Sequence, residues 1–329
     1  MTYILGIDQG STHTRVAVSD AAGNILGAGK SCGACHSIHG MDKAMVAVRE
    51  AAAAALHQAG GQLADIAVVF GGFTGADWPD EYQLLQTNVL ALGLSAVVHI
   101  SNDSIVALRG GTEASYGAVI IAGTGGNCAI RSPRGEEFIY HYYHDHDLQG
   151  GAALGRRALK AVYRAETGRD PATWLTARIL EMFGFAQVDD LLRAEVERRL
   201  PLNYIHAIAP LVFQTAYEGD YVSGKILRAF GEGLAEMAVA GLRRFKMTDL
   251  AVDIVLSGSV FKGVGTLLEE VIIAHIHLAA PKARLVNARY EPVVGAVLLG
   301  LEALGTVVDE QVKQKIEESS RRLNLVRLD

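Results

Sequence analysis

Residues 5–20, LGIDQGSTHTRVAVSD, constrain this chain more than any other stretch. An apolar run ends in Asp8, a Gly-Ser-Thr turn follows at Gly10, Ser11 and Thr12, and alternating Thr14, Val16 and Val18 resume a strand. Glycine lets a backbone approach a ligand closely, and successive N–H groups with small hydroxyls suit phosphate oxygens. Asp8, at the strand end, is placed to hold a hydrated magnesium ion beside such phosphates. The same residues also describe an ordinary β-hairpin. A second copy favours the phosphate reading: residues 117–136, GAVIIAGTGGNCAIRSPRGE, repeat the strand, the Gly-rich turn (Gly123, Thr124, Gly125, Gly126), the second strand and the closing turn. Gly10 precedes the closing Gly23 by 13 residues, and Gly123 precedes Gly135 by 12. Two such hairpins, each opening a long α/β segment, predict a duplicated architecture that takes phosphate.

Five motifs in order, IDQGSTHT, SNDSIVAL (101–108), IAGTGGNCAI (121–130), LSGSVFKG (256–263) and EPVVGAVLLGLEALG (291–305), give the chain a wider likeness. It resembles the sugar kinase, actin and heat-shock chaperone ATPases, and within them the N-acetylglucosamine kinases and the BadF/BadG/BcrA/BcrD-type ATPases. The resemblance implies an α/β fold of duplicated ribonuclease H-like (actin-like ATPase) domains, with mixed central sheets around an interdomain nucleotide cleft. It also implies ATP and Mg2+ as cofactors and a sugar or amino sugar as the small-molecule partner. A homodimer is compatible with it.

Length and composition agree. A chain of 329 residues exceeds what one core usually supports. The periodicity places a first domain at 1–114 and a second, with a helical insertion, at 115–329; the C-terminal helix is free to pack back on the first. Strands are expected near 3–8, 14–19, 25–30, 66–70 and 96–100, with a helix across 42–59. The second half has expected strands at 118–122, 127–131, 252–257 and 283–286. Its expected helices are 150–167, 172–183, 187–199, 204–217, 220–245 and 262–278. Pro292 is well placed to open a helix, and 310–323 reads as a solvated amphipathic one. No apolar stretch reaches the roughly 18 residues of a membrane span, so no membrane role is expected. The N-terminus carries no secretory pattern. Three cysteines make no disulfide scaffold, which points to the cytoplasm, and a net charge of −6 without a basic block argues against nucleic acid.

Phosphoryl transfer to a hydroxyl needs a base at the acceptor, a metal and a phosphate cradle. Asp103 sits between the strand AVVHI and the helical IVALRG, where active-site groups of α/β folds collect. A helix N-cap is the competing role, and Asn102, Asp103 or Ser104 could each fill it. In the family an aspartate at the position of Asp103 accepts the proton of the attacking hydroxyl. By the same resemblance Gly258 and Ser259 pack against adenosine ahead of a helix from Lys262. Asp8, Gly10–Thr12, Thr14 and Gly123–Gly126 hold Mg-ATP, and Asp103, Asn127, His36, Asp147 and Gln149 hold the acceptor.

Three local patterns invite other readings. Cys32-Gly-Ala-Cys35-His36 matches haem-attachment and redox motifs, but the family's sugar loop falls here. His141, His144, Asp145, His146 and Asp147 could ligate a metal, yet form no helical i, i+4 histidine pair; a polar loop is the alternative. Finally, many N-acetylglucosamine kinases carry Gly-Asp-Glu-Gly where this chain has Leu148, Gln149, Gly150 and Gly151. Either Gln149 replaces the sugar-binding carboxylate, or Asp145 or Asp147 reaches in from upstream. The family's early sugar-loop asparagine also has no counterpart, Cys35 and His36 standing nearby. Two runner-up readings stay open: an ATPase that couples hydrolysis to work on a partner protein, and a nucleotide-binding regulator.

Overall fold

The computed structural model describes residues 2–327. The chain opens with β1 (Tyr3–Gln9), β2 (His13–Asp20) and β3 (Ile25–Cys32). It continues through α1 (His36–His39), α2 (Met41–Ala59), β4 (Ile66–Phe73), α3 (Pro79–Ala91), β5 (Val98–Asn102) and α4 (Asp103–Gly111). The pattern restarts with β6 (Gly117–Ala122), β7 (Gly126–Arg131) and β8 (Glu137–Ile139). Five helices follow: α5 (Gly150–Glu166), α6 (Leu175–Phe183), α7 (Val188–Val196), α8 (Tyr204–Glu218) and α9 (Tyr221–Arg244). Then come β9 (Asp253–Ser257), α10 (Leu267–His277), β10 (Arg284–Asn287), α11 (Pro292–Ala303) and α12 (Glu310–Arg322).

Two five-stranded sheets result. The first has the order β3-β2-β1-β4-β5 and the second, taken in the same sense, β8-β7-β6-β9-β10. The identical connectivity is the duplication that the paired hairpins predict. In the first sheet β1 runs antiparallel to β2 and parallel to β4, which is parallel to β5. Compact packing divides the chain into one unit of Met1–Val119, Ala129–Ile139 and Val286–Asp329, and another of Ile120–Cys128 and Tyr140–Leu285.

In the first unit, period-2 alternation sorts side chains to the two faces of the sheet. Tyr3, Leu5, Ile7, Val16 and Val18 pack with Ala44, Val48, Ala51 and Ala55 of α2 and with Leu85 and Val89 of α3. Ile4, Ala17, Ile25 and Val68 pack with Val293, Val297 and Leu301 of α11 and with Val312 and Ile316 of α12. The alanine-rich face of α2 meets glycines on β3: a Cβ on Gly29 would lie 2.0 Å from Ala51 O, and one on Gly27 2.2 Å from Ala55 O. Asp309 caps α12, its carboxylate accepting from Gln311 N and Val312 N. The helix is then tied to β3, where Ile25 N donates to Ser319 Oγ (3.0 Å) and Arg322 donates to Ile25 O (3.0 Å).

Strand β8 and the short helix α1 were not anticipated, and two further elements differ from the sequence reading. Helix α3 has only Leu85 and Val89 buried, so its apolar stripe is too thin to register as a period; Glu81 anchors it by accepting from Asp77 N and Trp78 N. The helix expected from Lys262 begins at Leu267, because a short 3-10 turn at Ser259–Lys262 is followed by Gly263 and by Gly265 at φ +85°.

Glycine environments yield a paired prediction. A Cβ on Gly295 of α11 would lie 1.9 Å from Val106 O of α4, whereas one on Gly224 of α9 meets nothing within 4 Å. Gly295→Ala should cost about 1–3 kcal/mol by overpacking. Gly224→Ala should gain up to about 1 kcal/mol from helix propensity. Chemical denaturation of the two variants checks both signs.

Candidate active site

In the first unit the parallel alignment of β1, β4 and β5 puts their C-terminal ends on one edge, where open α/β sheets place ligands. Asp8 stands opposite Gly72, Phe73 opposite Asn102, and Asp103 opens α4 directly afterwards. The cap of α4 belongs to Asn102: its Oδ1 accepts from Ser104 N (2.9 Å), and its Nδ2 donates to Ala76 O and Asp77 Oδ1 (3.1 Å each). Asp103 is therefore not needed as the cap.

Burial pushes the Asp8 carboxyl up to about 7, and the negative charges of Asp103 and Glu291 add to that rise, against Arg15 and Arg327. Arg15 faces Asp8 directly across the β1–β2 ladder and pairs with Glu291, from which Arg327 Nη2 lies 3.7 Å away. Sequence reasoning missed this frame. The Asp8–Arg15 pairing was available from hairpin spacing, but nothing local to Glu291 links it to residue 8.

Gly10 lies at the turn, its N–H donating to His13 O (2.9 Å), and a Cβ there would meet nothing nearer than 3.5 Å. Ser11 and Thr12 are exposed beside it. Thr14 is fully buried, and its hydroxyl accepts from Gln9 Nε2 (3.3 Å), so it braces the strands beneath the turn.

Cys35 is the buried residue before α1, its Sγ 3.1 Å from Ser37 Oγ and 3.6 Å from Thr74 O, while Cys32 is exposed on β3. The His36 side chain is 6% exposed, with Nε2 3.9 Å from Glu81 Oε1 and a buried Nδ1 that has no hydrogen-bond partner. An unpaired buried donor or acceptor costs about 1–3 kcal/mol, which makes His36 the odd group of this loop.

The second unit assembles three glycine-bearing loops backbone against backbone. Gly123 N donates to Gly125 O, and Gly151 N, in the first turn of α5, donates to Gly123 O (2.8 Å each). A Cβ on Gly150 would lie 2.3 and 2.4 Å from the carbonyl oxygens of Gly123 and Gly125, and Gly150 has φ +55°. One on Gly258 would lie 2.2 Å from Ala122 O. Gly123 itself is open, with nothing nearer than 3.9 Å. It lines a cavity of about 480 Å³ with Thr124, Gly151, Ser259, Lys262 and the α8 residues His206 and Phe213. That volume suits a small organic ligand. The α8 residues were not anticipated, since they look like one more amphipathic helix.

Gln149 is turned to the hairpin, its Oε1 accepting from Gly126 N (3.4 Å). Asn127 Oδ1 accepts from Cys128 N (2.8 Å) and His141 N (3.2 Å). Asp147 lines a different concavity, of about 440 Å³, with Asp145, His146 and Arg157. Burial lowers the pKa of His144, whose Nδ1 lies 3.1 Å from Asp145 O. Among the described residues no three His, Cys, Asp or Glu side chains converge as metal ligands, in the His141–Asp147 segment or elsewhere. The glutamate of the family's Asp-Glu pair has no room here, because a side chain at Gly150 would displace the hairpin.

Two sheets of one topology, with aspartates at the ends of β1 and β5 and a glycine-lined cavity, define a fold of the sugar kinase and actin-like ATPase class. The chain belongs to the BadF/BadG/BcrA/BcrD ATPase family, whose model matches residues 5–300. It is 24% identical over 308 residues to an N-acetylmuramic acid/N-acetylglucosamine kinase of Clostridium acetobutylicum (91% of this chain, 98% of the relative). To an N-acetyl-D-glucosamine kinase of Dictyostelium discoideum it is 27% identical over 315 residues (91% and 98%). A solved structure from Chromobacterium violaceum, provisionally assigned as an N-acetylglucosamine kinase, shares the fold at TM-score 0.65 and 21% identity, covering 91% of this chain and 99% of its own.

Two predictions follow from the site. The folded Asp8 pKa, about 7, exceeds its ordinary 3.8, so the folded state binds the proton more tightly and loses stability as pH rises between those values. Asp8→Asn should melt at least about 2 °C above wild type at pH 8, with the gap closing towards pH 4. A wild type more stable than the variant at pH 8 would mean that Arg15 overcompensates. Gly123→Ala should keep the wild-type melting temperature, because its Cβ has room in the protein, while raising KM for ATP at least about tenfold by crowding the cavity.

Proposed function

We propose that this protein is an ATP-dependent kinase that phosphorylates a hydroxyl of an amino sugar, N-acetylglucosamine or glucosamine. The observation that carries this reading is the placement of Asp103. It starts a helix whose cap is made by its neighbour Asn102, at the same strand edge as Asp8. A carboxylate spared from capping and set beside a second carboxylate is suited to proton transfer and cation chemistry.

In this reading Asp103 accepts the proton of the acceptor hydroxyl as its oxygen attacks the terminal phosphorus of ATP. The new P–O bond forms as the bond to the departing ADP oxygen breaks. Gly10–Thr12 and Gly123–Gly126 supply backbone N–H groups to phosphate oxygens, and Gly258, Ser259 and Lys262 border the space for the rest of the nucleotide. Asp8 and Asp103 oppose each other's charge, which a divalent cation relieves. Asp8 would hold Mg2+ directly or through water, with phosphate oxygens and water completing the shell. That ion neutralises charge on the transferring group.

For the acceptor, His36 is the candidate on the first unit, its Nδ1 awaiting a partner. Asn127, with its carbonyl engaged but its amide N–H groups available, is the candidate on the second. Gln149 acts as a brace of the hairpin, and Asp147 is the remaining acidic candidate. Sugar hydroxyls held by neutral groups are bound less strongly than by carboxylates, so acceptor affinity is expected to be modest.

The test is ATP consumption by the purified protein across a panel of hexoses and hexosamines. Turnover dependent on N-acetylglucosamine or glucosamine is expected. Asp103→Asn should retain ATP binding yet lower turnover about 100-fold or more, and His36→Ala should raise KM for the sugar without changing KM for ATP. ATP hydrolysis that ignores every sugar would favour the partner-coupled ATPase. A near-normal Asp103→Asn would remove the base from the mechanism.

A further inference from the structure

Helix α5 carries Arg156, Lys160 and Arg164 at four-residue intervals, and so along one face. They border a groove of about 320 Å³ in the second unit, joined by Arg169 and floored by Leu159 and Ile205. Like charges at i, i+4 repel, so this row is destabilising unless something negative answers it.

The protein answers only part of it. Arg164 is neutralised by Asp170, at 2.6 and 3.1 Å. Glu195, the one carboxylate lining the groove, accepts from the hydroxyls of Tyr163 (2.5 Å) and Tyr204 (2.8 Å). Arg156 donates to His146 O and Arg169 to Thr167 Oγ1, neither of them charged, and Lys160 has no ion pair among the described residues. Four cations against two carboxylates leave an excess of two positive charges in a chain whose net charge is −6.

We propose that this groove is a second anion site, which takes the phosphate of a small phosphorylated metabolite and is separate from the Gly123–Ser259 cavity. Arg156, Lys160 and Arg169 offer N–H donors to phosphate oxygens, Arg in the planar geometry that suits them. Leu159, Ile205 and the Tyr163 ring offer a surface for the carbon skeleton, and the volume admits a molecule near monosaccharide size. The groove is also wired to the nucleotide cavity. Ile205 borders the groove while the next residue, His206, borders the cavity. A Cβ on Gly155 would lie 1.9 Å from Ile205 O, so the backbones of α5 and α8 touch there without slack. A ligand that shifts the first turn of α8 is felt in the cavity, and by linkage the nucleotide alters the affinity of that ligand equally.

The test is calorimetry on the full chain saturated with a non-hydrolysable ATP analogue, titrated with glucosamine 6-phosphate and, separately, with inorganic phosphate. Glucosamine 6-phosphate should bind more tightly than inorganic phosphate, and Lys160→Glu and Arg169→Glu should each weaken it at least about tenfold. Lys160→Glu should also raise the melting temperature without ligand, because the reversed charge then faces Arg156 and Arg164. Arg169 lies beyond the end of α5, so its variant preserves the test if the helix variant folds poorly. The proposal fails if no heat is released, if the analogue and the sugar phosphate exclude each other, or if both variants bind like wild type. It fails equally if a single-stranded oligonucleotide is preferred, which would mark an extended polyanion surface.

Discussion

The first unit depends on one electrostatic constraint: three parallel strands bring two carboxylates to the same sheet edge. Asp8 ends β1, Asp103 follows β5, and burial of Asp8 amplifies their repulsion. The surrounding fold manages that cost rather than removing it. Arg15 faces Asp8 across the hairpin but is itself shared with Glu291, which precedes α11. Glu291 is held where it is because α4 and α11 touch backbone to backbone at Gly110 and Gly295, and because its N–H donates to Leu325 O. The close helix crossing and the docked C-terminal segment thus serve the charge balance of a residue nearly three hundred positions away. Groups held in such a balance are what binding a cation and handling a proton require, at the expense of stability.

The second unit works through close backbone packing instead. Its glycines fall into two kinds. Gly150 and Gly258 would each drive a Cβ into a carbonyl of the hairpin, so they let loops stack. Gly123 and Gly125 have no protein atom nearer than 3.7 Å in the Cβ direction, so packing does not explain them. A glycine with room for a side chain, at a turn bordering a cavity, is best explained by something that approaches from outside the protein. This distinction also explains why the glutamate of the family's Asp-Glu pair is missing. A glutamate at 150 and the tightly stacked hairpin exclude each other, and Gln149 has become part of the stack.

Much of this was legible in the sequence, because the relevant signals were local. The paired hairpins announced the duplication, and their spacing reappears as two sheets with one connectivity. Asp8 and Asp103 were readable from strand ends. Which of Asn102, Asp103 and Ser104 caps α4 was not, since all three residue types cap and only hydrogen-bond geometry separates them. The partners of Asp8 lay beyond reach for a different reason: Glu291 and Arg327 meet it only through tertiary packing. Helix α3 escaped notice because a helix buried along two residues leaves almost no period. The His-rich segment offered a metal reading that its own spacing argued against, and among the described residues its side chains do not converge.

The two halves share a topology but not a purpose for what is inserted into it. Between β3 and β4 the first unit spends only α1 and α2, and α2 presses against the sheet. Between β8 and β9 the second unit inserts five helices, α5 to α9, whose residues line nearly all of the basic groove and contribute to the walls of the other two concavities. A sheet that must hold an aspartate against a neighbouring charge tolerates little change. Surface helices packed mainly on each other tolerate a great deal, because their outward faces answer to no shared register. New recognition is therefore expected to accumulate on α5 and α8. There, an unbalanced row of cations costs a surface helix little and can bias the first turn that borders the Gly123–Ser259 cavity.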